Sequence, residues 1–128
     1  MIFSHTLDLV LSGVKSQTRR VKKPHEFLIH DNDMWHVESK TEKSHRTVYN
    51  VGQIYAVQPG RAKKAVAHIK LTGLREETVG EISEADAKAE GFDSREAFFE
   101  AWRAIHGAKA DLQALVWVLE FELCDEKT

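Results

Sequence analysis

Leu115-Val116-Trp117-Val118-Leu119-Glu120-Phe121-Glu122-Leu123 is the stretch on which the fold turns. It is nearly continuous in apolar residues and rich in β-branched and aromatic side chains, the pattern of a strand covered on both faces, so it is expected at the centre of a sheet. Towards its end Leu119, Phe121 and Leu123 alternate with Glu120 and Glu122, which puts one face in solvent. Two helices with start and stop signals precede it. Ser83, with Asp86 three residues on, opens the first over Ala85–Glu90 before Gly91; Asp93 with Glu96 opens the second, whose Phe98, Trp102 and Ile105 form an apolar stripe closed by Gly107. Further upstream, Ile54–Val57 ends at Pro59-Gly60, and Ala65–Leu71 places Ala65, Ala67, Ile69 and Leu71 on one face. These two read as paired strands.

The N-terminus reads as a short strand at Ile2-Phe3 and a helix over Thr6–Leu11, capped by Ser4 or Thr6 and stopped by Gly13. Residues 22–47 are polar with two apolar islands, Phe27-Leu28-Ile29 and Met34-Trp35. The segment to residue 50 is expected as a long excursion or hairpin, and as a lid. The whole pattern is α+β, a single domain over residues 1–128 with enough short strands for a small β-barrel and helices around it.

Composition sets the class. With 128 residues, 42% hydrophobic and 30% charged, the chain has the make-up of one globular domain, not of a disordered or fibrous one. No apolar run approaches the ~18 residues a membrane span needs, and the first residues lack the basic and then apolar regions of a secretory signal, so a cytoplasmic protein is expected. The one cysteine, Cys124, rules out an internal disulfide and a CxxC site. The seven histidines match no compact ligand spacing, so no metal and no cofactor are expected. Net charge is −2, but residues 1–64 hold 11 Lys/Arg against 6 Asp/Glu and residues 65–128 hold 7 against 14. Such an asymmetry suits a polyanionic or phosphate-bearing partner on one face, or two differently solvated sides of a neutral protein.

The densest polar cluster is Gly13-Val14-Lys15-Ser16-Gln17-Thr18-Arg19-Arg20. With one glycine it is no phosphate loop, so its value lies in its side chains. Thr18 and Arg20 share a face if the segment is a strand, and a turn after Gly13 brings Lys15 towards Thr18. A hydroxyl beside a neutral amine is a nucleophile and its base; burial and the neighbouring Arg19 and Arg20 favour the neutral amine. The alternative is an exposed basic turn. Glu90, in the last turn of its helix, meets the negative end of the helix dipole, which disfavours a carboxylate and suits a proton donor; otherwise it is a surface glutamate. Tyr49, Tyr55, Gln58 and Arg61 surround the Pro59-Gly60 turn as a candidate base-binding pocket, with Tyr55 equally placed for the core. Trp35, an aromatic in a polar stretch, is a candidate for stacking on a base or for local packing.

Together these residues resemble a known family. The Gly13, Lys15, Thr18, Arg20 cluster after a short helix, the Val51–Tyr55 strand entry, the Ile82–Phe92 helix, Phe98-Phe99 with Trp102, and the Val116–Phe121 strand are similar in order and spacing to an ASCH domain. The resemblance spans nearly the whole chain and implies a PUA-like fold, a small β-barrel with helices around a cleft, of a kind associated with RNA. Within that family the small bacterial N4-acetylcytidine amidohydrolases are proposed to use a Lys, a Thr and a Glu, which match Lys15, Thr18 and Glu90. The resemblance thus implies a metal-independent enzyme in which Lys15 activates Thr18 and Glu90 serves the departing amine. Arg20 or a backbone amide is a candidate oxyanion stabiliser, and Arg20, Arg19, Tyr55, Gln58 and Arg61 are candidate substrate contacts. The expected partner is a modified cytidine nucleoside or RNA, with no membrane and no obligatory protein partner. The rival is a PUA-like RNA-binding module without amidohydrolase chemistry, with or without ribonuclease activity. The chain departs from the smallest members in its longer residues 22–50 and in Arg19, where they carry an apolar residue.

Overall fold

The computed structural model describes residues 1–3 and 6–124. Seven strands and three helices follow in the order α1 (Leu7–Leu11), β1 (Gln17–Val21), β2 (Glu26–Asp31), β3 (Met34–Lys40), β4 (His45–Asn50), β5 (Ile54–Val57), β6 (Ala67–Thr78), α2 (Glu84–Ala89), α3 (Arg95–His106) and β7 (Leu115–Leu123). β7 is central as its composition requires: it runs antiparallel between β1 and β6, and β5 completes a sheet of order β1-β7-β6-β5. β2, β3 and β4 form a separate antiparallel meander. The two sheets stack and are not joined into the closed barrel expected from the strand count. Ile2 forms an isolated bridge to Gln58, not a strand.

Three layers result, and β7 is covered on both faces. Val116 and Val118 face α2 and α3, packing with Val79, Ile82, Ala87, Phe98 and Trp102. Trp117 and Leu119 face the meander, with Val37, Leu71 and Leu74. Phe121 joins Phe3, Val10, Val57, Ala67 and Ile69 beside α1. Residues 22–50 are therefore not a lid but a second sheet. Its Val37 is fully buried, and buried Glu26 accepts hydrogen bonds from Trp117 Nε1 at 3.0 Å and Lys23 N at 2.9 Å.

β6 runs past the expected Leu71 to Thr78, with a bulge at Leu71/Gly73. A Cβ on Gly73 would stand 3.1 Å from the Glu120 carboxylate, so a larger residue there requires the Glu120 side chain to give by a few tenths of an ångström. Ala65 lies outside the strand and is exposed. Ser83 caps α2 by accepting from Asp86 N at 3.0 Å, as expected, whereas α3 is capped by Ser94, one residue after the expected Asp93, because the Ser94 hydroxyl reaches Ala97 N at 3.1 Å. Thr6 occupies the N-cap of α1 without a side-chain hydrogen bond, and Ser4 lies outside the described residues. No helix among the described residues is long and apolar enough to cross a membrane.

Candidate active site

Backbone hydrogen bonds place the Gly13–Arg20 segment. Gly13, at φ +80°, turns the chain off α1; Lys15 N then donates to Leu9 O at 2.9 Å, Ser16 N to Ala89 O at 2.7 Å, and Phe121 N to Ser16 O at 2.9 Å. These bonds pin the segment against the ends of α1 and α2 and against β7 before β1 begins. Gly91, at φ +100°, ends α2; a Cβ there would come within 2.6 Å of Leu9 Cδ1. α1 and the end of α2 thus touch through the one residue type that permits both the dihedral and the approach. Glu90 is delivered into the same junction.

Lys15 and Glu90 are both almost wholly buried, at 4% and 3% exposure, which removes the exposed-turn and surface-glutamate alternatives. Lys15 Nζ donates to Glu90 Oε1 at 2.5 Å and to the Glu90 carbonyl at 3.1 Å. Arg19 Nη1 donates to the other carboxylate oxygen, Oε2, at 3.1 Å and to Gln17 Oε1 at 3.0 Å, while its Nη2 reaches Glu77 at 2.8 Å and Asp86 at 3.4 Å. Arg75 closes the outer side through Asp86 and Glu120, each at 2.5 Å. Burial is the largest influence on the Lys15 ammonium and pulls its pKa below the usual lysine value; Glu90 opposes this, and Arg20 and Arg19 add to it. Many of these pairs join the basic first half of the chain to the acidic second half, as does Lys22–Glu76 at 2.6 Å. A share of the charge asymmetry in the sequence is internal complementarity and not a surface field.

A cavity of about 290 Å³ opens beside this cluster. Lys15, Thr18, Arg19, Arg20 and Glu90 all line it, so five of the eight expected site residues are brought to one cavity. Thr18 is 5% exposed and shares its strand face with Arg20; its hydroxyl makes no hydrogen bond to Lys15, whose ammonium is held by Glu90. The other three are elsewhere. Tyr55 packs in the core and its hydroxyl accepts from Asn50 N at 2.8 Å; Gln58 donates to Lys63 O at 3.0 Å; Arg61 is exposed in the loop after β5. Tyr49 also packs in the core. Trp35 stacks on His30 with ring centroids 4.3 Å apart, far along the meander, and no residue of 22–50 lines the cavity.

The opposite wall was not foreseen. Phe98, Ala101, Trp102, Ile105 and His106 of α3, with Phe92, face the cavity, and the Trp102 and His106 rings lie 4.0 Å apart. The signal was present in the sequence. Ile105, half exposed, extends the apolar stripe beyond what the core covers, and His106 continues it at helical spacing. Ile2 and Phe3 close one end.

No family model and no curated protein matches the sequence. Among solved structures, an ASCH domain from Lactobacillus crispatus JV V101 superposes with a TM-score of 0.64 at 19% identity, over 91% of this chain and 68% of that one. A protein of the DUF984 family from Enterococcus faecalis V583 gives 0.59 at 21% identity, over 92% and 66%. The chain spans about two thirds of the length of either.

Proposed function

Starting from the ASCH-domain fold that these superpositions establish, we propose that the chain is an amidohydrolase that removes the acyl group from N4-acetylcytidine or a related N4-acylated cytosine nucleoside. The observation that carries this reading is the buried Lys15–Glu90 pair on the same cavity wall as Thr18. An ammonium and a carboxylate buried together are a costly arrangement for stability alone, and such groups concentrate at functional sites.

The chemistry uses one proton held in common. Moving it from Lys15 Nζ to Glu90 Oε1 converts the ion pair into a neutral amine and a carboxylic acid, the base and the proton donor that amide cleavage needs. The amine takes the Thr18 hydroxyl proton as the oxygen attacks the acyl carbon. The tetrahedral intermediate collapses with cleavage of the C–N4 bond, and Glu90 gives its proton to the departing N4. Glu90, now a carboxylate, draws a proton from water, which attacks the acyl-threonine; the Thr18 oxygen recovers its proton from Lys15. The net change is amide plus water to amine plus carboxylic acid. Arg19 holds the second Glu90 oxygen and keeps the first directed at Lys15. The aromatic face of α3 supplies a surface for stacking a pyrimidine.

The test is incubation of the purified protein with N4-acetylcytidine, following loss of its absorbance, with Lys15→Ala and Glu90→Gln in parallel. Turnover is expected in the parent chain only. Its kcat/KM is expected to fall once rising pH strips the shared proton from the pair, and to do so below the ordinary lysine range because burial lowers the Lys15 pKa. Absence of turnover, with RNA binding that weakens steeply in salt, would establish the RNA-binding module instead.

A further inference from the structure

Three cations line the cavity, and one of them has no carboxylate within ion-pair distance among the described residues. Lys15 is held by Glu90, and Arg19 by Glu77, Asp86 and Glu90. Arg20 is different. It donates from Nη2 to the Ile2 carbonyl at 2.8 Å and lies over the Phe3 ring, its guanidinium carbon 5.1 Å from the centroid; its buried Nε, like that of Arg19, meets no acceptor among the described residues. Burial lowers the Arg20 pKa from its ordinary value, and Tyr49 and Glu90 oppose this without hydrogen-bonding it. A guanidinium does not shed its proton in a protein, and that of Arg20 is half-buried on the cavity lining, where its charge lacks an ion-pair partner among the described residues. An anionic oxygen in the cavity is the partner that completes this one.

We propose that Arg20 anchors a phosphate monoester of the substrate, so that the cavity takes a cytidine mononucleotide in preference to the bare nucleoside. This rests on the reading of the cavity as a cytosine site. The planar fork of arginine matches phosphate oxygens in pairs. Its place also fits. Lys15 leans on the end of α2, whereas Arg20 leans on Ile2-Phe3, and Thr18 and Arg20 are separated by about 7 Å of strand, two residues of rise. The amide on N4 and a phosphate on the ribose likewise stand at opposite ends of a nucleotide. At about 290 Å³ the cavity lies at the small end of ligand sites, which suits one nucleotide and not a run of RNA.

Equilibrium binding of cytidine, cytidine 5′-monophosphate, ribose 5-phosphate and a cytidine-containing trinucleotide to the parent chain and to Arg20→Gln tests this without need of turnover. The monophosphate is expected to bind the parent about tenfold or more tighter than cytidine, the worth of a charge-assisted pair, with the trinucleotide no tighter. Arg20→Gln should erase that preference while leaving cytidine affinity unchanged, which also reports that the variant is folded; Arg20→Lys should keep part of it. Equal binding of nucleoside and monophosphate by the parent would overturn the proposal, as would an equal loss of both in the variant or tighter binding of the trinucleotide. If cytidine itself fails to bind, the amidohydrolase reading falls separately. Ribose 5-phosphate then decides: Arg20-dependent binding upholds the phosphate anchor, and its absence overturns it.

Discussion

Two clusters of charged and titratable groups lie on different sheets and behave differently. On β3 and β4, Glu38 accepts from His36 at 3.0 Å and from His45 at 2.6 Å, with His45 largely in solvent. Beside β1, Glu90 is held by Lys15 and Arg19 at comparable distances, with all three side chains at 4% exposure or less. Bond lengths do not separate the two; water does. An exposed pair exchanges one hydrogen-bonded state for another of nearly equal free energy, whereas a buried pair keeps its charge only through its partners, and removing one strands the other. The first cluster decorates a surface. The second has the energetic coupling that proton transfer requires.

Breaking the buried pair should have the largest effect. Lys15→Met leaves Glu90 buried with Arg19 as its remaining ion-pair partner among the described residues, and is expected to cost about 3–5 kcal/mol in urea unfolding together with all turnover. The double variant Lys15→Met with Glu90→Leu should recover most of that stability and none of the activity. A double variant as unstable as the single one would mean that the pair holds the junction together and is not there for chemistry.

A smaller loss is expected at the joint that delivers Glu90. Gly91→Ala puts a Cβ at φ +100° and 2.6 Å from Leu9 Cδ1, at about 1–3 kcal/mol. Because the shift moves Glu90 relative to Thr18, kcat should fall more than KM rises; a stability loss with kcat intact would show that the cavity tolerates displacement of α2.

The smallest effect belongs to the exposed cluster. Hydrogen bonds from His45, and then from His36, hold the Glu38 pKa below the usual carboxylate value. A depressed carboxylate stabilises the fold above its unfolded pKa and loses that contribution as pH falls through the folded value. Glu38→Gln should therefore lower the melting temperature slightly near neutral pH and leave it unchanged in acid, where the parent has lost the same contribution. A large drop at neutral pH would erase the distinction between the two clusters.

Much of the fold was legible in local pattern. β7 was readable as central because a strand covered on both faces has no polar face to spare, and α2 because its cap is written in Ser83 and Asp86. The meander of residues 22–50 was less so: its polar outer positions hide the inward Val37 and Glu26, whose role appears only against Trp117 on β7. Lys15, Thr18 and Glu90 are candidates from residue chemistry and a resemblance in spacing, and all three line the cavity. Tyr55, Gln58 and Arg61 were misplaced because nearness to a turn says nothing about which side of a sheet that turn opens on. The α3 wall was taken for core because an apolar stripe reads alike whether it meets side chains or an empty cavity.

The sequence by itself determined the elements, the central strand and the reactive residue types, because periodicity, caps and side-chain chemistry are local properties. Tertiary structure alone decided that Lys15 and Glu90, 75 residues apart, meet at 2.5 Å, that part of the acidic half pairs with the basic one from within, and that Arg20 has no carboxylate partner among the described residues. The physical reason is that pairing and burial of charge depend on which distant segments share a low-dielectric space, and spacing along a chain does not carry that information.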